Sequence, residues 1–99
     1  MRLSSAQQQS IREEVTRTFG RDAIVRLFGS RTDDQARGGD IDIHIESSGT
    51  PAELLDRELK LQARLQRRLG ERRIDIVVYG GQGSLRAIDT QARKTGIPL

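Results

Sequence analysis

Apolar positions along the chain repeat with two periods, about 3.6 residues in some stretches and 2 in others. Ile11, Val15 and Phe19 recur at i, i+4 and i+8, one stripe of an amphipathic helix, and predict a first helix over about Ser5 to Phe19. Ser5 with Gln8 fits a capping box at its start, and Gly20 stands where a terminating glycine belongs. Ala23 to Phe28 is a short apolar run, read as a mostly buried strand that ends at Gly29-Ser30. After a polar segment from Arg31 to Gly39, the stretch Asp40-Ile41-Asp42-Ile43-His44-Ile45-Glu46 alternates strictly. That is a half-buried strand, with isoleucines on one face and Asp40, Asp42, His44 and Glu46 on the other.

The second half repeats the scheme. Thr50-Pro51-Ala52-Glu53 combines an N-cap threonine, a proline at the first helical position and a glutamate at the third. It starts a helix running to about Leu69, with Leu55, Leu59, Leu65 and Leu69 on the apolar face and Gly70 as the stop. Ile74 to Tyr79 predicts a third strand, Gly80 to Gly83 a connection, and Ser84 the cap of a last helix carrying Leu85, Ile88 and Ala92. The order α-β-β-α-β-α predicts an α/β fold, a small mixed sheet flanked by helices.

Length sharpens this. Ninety-nine residues make one domain, 1–99. A chain of this size buries roughly 60–70% of its unfolded surface, and no room is expected for a deep enclosed pocket plus a separate substrate domain. No run of 18 apolar residues is present, so no membrane span is expected, and the first ten residues lack the apolar core of a secretory signal. The absence of cysteine excludes disulfides and thiolate metal sites, and a cytoplasmic location is the default expectation. Seventeen basic residues face fourteen acidic ones, for a net charge of +3, and fifteen of the basic residues are arginine. Arginine suits phosphate through its planar fork, although arginine-rich composition has blander causes. With Phe19, Phe28 and Tyr79 the only aromatics, stacking platforms for single-stranded nucleic acid are scarce, and a nucleic-acid partner is not expected.

The chemistry concentrates in three places. Asp40 and Asp42, two apart on a strand, project from one face. Carboxylates at roughly 5 Å repel by about 3 kcal/mol at an effective dielectric near 20. A divalent cation relieves that repulsion, and hard oxygen ligands suit Mg²⁺. The competing account is an exposed face on which the aspartates are merely solvated. Gly29-Ser30, at the end of the first strand, offers close backbone approach and a hydroxyl donor for a phosphate oxygen. Asp75 interrupts an apolar strand: it is either a salt-bridge partner of Arg72 or Arg73, or a third metal ligand or base. His44 reads as a polar position near the sheet edge, not a ligand. Gly80–Gly83 has no Walker signature. Arg64, Arg67 and Arg68 read as a solvated face or a docking surface for an acidic partner.

Together, LFGSR, GGDIDIHIE and RRIDIVV resemble the minimal nucleotidyltransferases of the DNA polymerase beta-like superfamily, of the antitoxin type. The resemblance runs from the first helix to about Tyr79 and departs in two places: Gly39 stands where relatives often carry serine, and the nine residues between Gly29-Ser30 and Asp40 lie at the compact end of the family's spacing, neither of which removes a carboxylate. It implies two-metal chemistry, with Asp40, Asp42 and Asp75 holding two Mg²⁺ ions and serving catalysis, and Gly29, Ser30 and Arg31 contacting the phosphates of a nucleoside triphosphate, ATP. It also implies transfer of AMP to a hydroxyl, a tyrosine of a HEPN-type helical partner toxin, in a homo- or hetero-oligomer. The alternative is a non-catalytic antitoxin or regulatory module that neutralises its partner by contact.

Overall fold

A computed structural model describes residues 4–28, 40–70, 73–81 and 83–99, and of Asp40 the backbone alone. The elements are α1 (Ser5–Phe19), β1 (Ile24–Leu27), β2 (Asp40–Glu46), α2 (Pro51–Leu69), β3 (Arg73–Tyr79), α3 (Ala87–Thr95) and β4 (Ile97–Pro98). The sheet order is β3-β2-β1-β4. β1 runs antiparallel to β2 and to β4, whereas β2 and β3 are parallel and joined by α2. The α/β fold with a mixed sheet is as the pattern predicts, and the fourth strand is an addition. Ile97 and Pro98 pair with Leu27 and Arg26, and Leu99 N donates to Val25 O. Two residues with a proline carry no alternation, so β4 leaves no periodic signal.

Both long helices begin and end as their residues require. α1 is capped by Ser4, whose hydroxyl accepts from Gln7 N while the Gln7 side chain accepts from Ser4 N. That is one residue earlier than Ser5–Gln8, because consecutive serines and glutamines satisfy the box in either register. α2 has the predicted box, Thr50 with Glu53. Gly20 and Gly70 follow the two helices at φ of 97° and 86°, a region that favours glycine.

α1 and α2 cover one sheet face. Ile11, Val15 and Phe19 meet Val25, Leu27, Ile41, Ile43, Ile45 and Ile74, with Leu61 and Leu65 closing the core. Full burial of each such side chain contributes about 1.5–3 kcal/mol. The apolar face of α2 differs from the expected one: Leu61 and Leu65 are buried and Leu54 and Leu69 partly so, but Leu55 and Leu59 are 55% and 61% exposed. At about 100° per residue, Leu54, Leu61, Leu65 and Leu69 share one narrow stripe and Leu55 and Leu59 fall beside it. α3 lies on the other face of the sheet. Of its expected apolar set only Ala92 is buried, while Leu85 and Ile88 are exposed; its cap is Arg86, not Ser84.

Two of the arginines of α2, Arg64 and Arg68, have an acidic partner inside the chain. Arg64 Nε donates to Glu14 Oε1 at 2.6 Å, and Arg68 Nη1 donates to Glu14 and Glu13 at 3.0 and 2.9 Å. Burial pushes the Glu14 carboxyl up, yet the bonds from Arg64 and Arg68 prevail and hold its pKa below the usual value.

Candidate active site

The face opposite the isoleucines carries the site. The parallel register places Asp42 directly beside Asp75, and Asp40 beside Arg73. Register partners share a face, and their backbones lie about 4.8 Å apart. Among the three candidate aspartates, Asp42 and Asp75 are therefore the pair that stands side by side across two strands; along one strand, Asp40 and Asp42 are separated by about 6.6 Å at the Cα atoms.

Asp75 does not sit inside an apolar environment. Its side chain is 51% exposed and lies 3.6 Å from Arg73 Nε, a long ion pair on an exposed arginine. Asp42 is partly buried. Two carboxylates side by side, one open to solvent, form a hard oxygen donor set suited to a divalent cation. Phe28 N donates to Asp42 O at 3.2 Å, so the chain leaves β1 next to this pair, at the point where Gly29-Ser30 begins. Gly29, Ser30 and Arg31 themselves, like Gly39 and Arg72, lie outside the described residues.

His44 is not near a sheet edge. β2 is an interior strand, and His44 is fully buried beneath α3. Its Nε2 lies 2.7 Å from Asp89 Oδ1. The Asp89 carboxyl is held far below the usual range, first by hydrogen bonds from Arg86 and then by His44, against the opposing effect of burial. An ionised carboxylate only accepts, so Nε2 carries the shared proton. Arg86 completes the arrangement: its Nε and backbone N donate to Asp89 Oδ2 at 2.9 and 2.8 Å, and its Nη2 donates to Asp89 Oδ1 and to Val78 O. The Phe28 ring meets His44 edge-on at 6.1 Å, linking this buried cluster to the end of β1. Sequence reasoning passed over Asp89 and Arg86. The available signal was an acid in the first turn of a helix with few buried apolar positions.

Glu46, the last residue of β2, ties three elements together. It accepts from Arg93 of α3 at 2.7 and 2.9 Å and from Arg26 of β1 at 2.6 Å. The Arg93 bonds, with Arg26 behind them, pull its pKa from 4.5 to about 2. Because the folded value is the lower one, this cluster stabilises the fold fully above the unfolded value of 4.5, and the contribution is lost as pH falls towards 2. Glu46→Gln is expected to be less stable than the wild type at pH 7, with the difference shrinking steadily between pH 4.5 and 2. Urea denaturation across that interval measures it, and a gap that does not change with pH would refute the ion-pair account.

A family model described as a nucleotidyltransferase domain matches residues 9–95. The chain belongs to that family, whose chemistry is nucleotidyl transfer with a nucleoside triphosphate and a divalent metal. Among curated proteins no sequence matches this one.

Proposed function

We propose that this protein is a magnesium-dependent nucleotidyltransferase that moves AMP from ATP to a protein hydroxyl, a tyrosine on a HEPN-type helical partner, and thereby acts as an antitoxin. The observation that carries the reading is the register of β2 and β3, which stands Asp42 beside Asp75 on the sheet face opposite the isoleucines, in a chain of the nucleotidyltransferase domain family. Asp42 and Asp75, with Asp40 from the same strand, would hold the metal; bound there it would neutralise phosphate charge and bring attacking and leaving oxygens together. Asp75, the more open carboxylate, would receive the proton of the incoming hydroxyl. The acceptor oxygen bonds to the α-phosphorus and the bond to pyrophosphate breaks. Gly29, Ser30 and Arg31 would contact the phosphates.

The exposed pair Leu55 and Leu59 supports a partner surface on α2, since apolar side chains at this exposure gain by being covered. The same pair favours a second reading, neutralisation by contact without transfer. Mass spectrometry of the co-expressed helical partner tests the first: one AMP on a tyrosine is expected. An unmodified partner, neutralised equally by wild type and by Asp42→Asn, would establish the second.

A further inference from the structure

A crevice of about 630 Å³ opens at the end of the sheet remote from the aspartates. Glu46, Ser47, Ser48 and Tyr79 line it, so it lies at the carboxyl ends of the parallel strands β2 and β3. That is where open α/β sheets hold ligands, and the volume falls within the usual range of roughly 300–1,000 Å³. Asp42 is four residues before Glu46, about 13 Å along the strand, too far for one phosphate group to reach both places.

The walls bring cations from three directions. Arg57 comes from α2 on one side of the sheet, Arg93 from α3 on the other, and Arg21 from the turn that follows α1. Two acids also line the crevice. Glu46 is already matched by Arg93 and by Arg26 behind it, leaving Asp22 against Arg21 and Arg57. Arg57 Nη1 makes a single long bond, 3.3 Å to Ser48 O, and Arg21 makes no hydrogen bond or ion pair among the described residues. A guanidinium has five N–H donors, so most of this donor capacity is unused. The floor is fixed: Tyr79 OH donates to Gly83 O at 2.9 Å, Ser47 N donates to Tyr79 O, and Arg93 lies over the Tyr79 ring.

We propose that this crevice is a second ligand site, one that binds a small phosphate-bearing molecule through Arg21 and Arg57, independently of the aspartate site. The forked donors of arginine match phosphate oxygens, and each charge-assisted bond is about twice as strong as a neutral one. The assignment does not rest on the transfer reaction proposed above.

Two-dimensional NMR of the metal-free protein, titrated with inorganic phosphate and then pyrophosphate at constant ionic strength, tests it. Saturable shifts are expected at the amides of Arg21, Ser47, Ser48, Arg57 and Tyr79. Arg57→Gln and Arg21→Gln, both surface changes, are expected to weaken binding on the order of tenfold each. The double variant Asp42→Asn/Asp75→Asn is expected to titrate as the wild type does. Shifts that do not saturate, that centre on Asp42 and Asp75, or that persist unchanged in both folded arginine variants would overturn the proposal.

Discussion

Asp42→Asn is expected to lower nucleotidyl transfer by on the order of 10²–10³-fold while leaving the fold intact. Asp42 faces Asp75 on the neighbouring strand, so removing its charge takes away one of the three carboxylates proposed to hold a cation. Losses of this size are usual when one preorganised electrostatic contact to a transition state is removed. The same substitution relieves like-charge repulsion in the metal-free protein. Its melting temperature without metal should therefore equal or exceed that of the wild type, whereas the gain conferred by Mg²⁺ with nucleotide should disappear. Transfer of label from α-labelled ATP to the acceptor protein and thermal melts with and without Mg²⁺ measure both halves. A variant that melts well below the wild type without metal would show that Asp42 is structural and would remove the site assignment.

The largest stability effect is expected at Asp89. This carboxylate is fully buried and answers three groups at once: His44 on the sheet, and the backbone and guanidinium of Arg86. Asp89→Ala would leave the buried His44 without its acceptor and would cut Arg86, 54% exposed, back to its bond with Val78 O. Hydrogen bonds to a charged group contribute about 1.5–3 kcal/mol each, so losing those from His44 and Arg86 costs about 3–5 kcal/mol together. For a domain of this size each kcal/mol shifts the melting temperature by roughly 4–8 °C, so a fall of more than about 12 °C is expected. The effect is large because α3 has little apolar attachment to fall back on: Ala92 is buried, but Leu85 and Ile88 are 38% and 36% exposed. Asp89→Asn, which keeps one acceptor, should lose less. A loss below about 1 kcal/mol by urea denaturation would mean that α3 is held by other contacts.

The contrast between α1 and α3 shows what a sequence can reveal here. Ile11, Val15 and Phe19 are all buried because a single apolar stripe has one way to face the sheet. β2 was equally legible, since its isoleucines alternate without a break and all three are fully buried. α2 offered leucines in two adjacent stripes, and hydrophobicity alone does not choose between Leu55 and Leu54. α3 docks by polar bonds, which have no period. For the candidate site, the residue types and the strands that carry them are readable, but the adjacency of Asp42 and Asp75 is not. Whether Asp75 stands beside Asp42 depends on β3 being parallel to β2 and in this register, a property of pairing between distant segments. His44 was misplaced for the same reason: a polar residue in an alternating strand reads as exposed unless its buried partner, 45 residues away, is known.

The position of β3 adds a further constraint on Asp75. This strand forms one border of the sheet, seven residues long, and five of them are Ile74, Ile76, Val77, Val78 and Tyr79. A long apolar border with unpaired backbone groups invites other chains to add strands and grow aggregates. Arg73 and Asp75, both well exposed, are the charges that interrupt it. The carboxylate proposed as a metal ligand thus also keeps a charge on this border, so a chain that drifted from Asp75 to an apolar residue would lose a gatekeeper together with the proposed ligand.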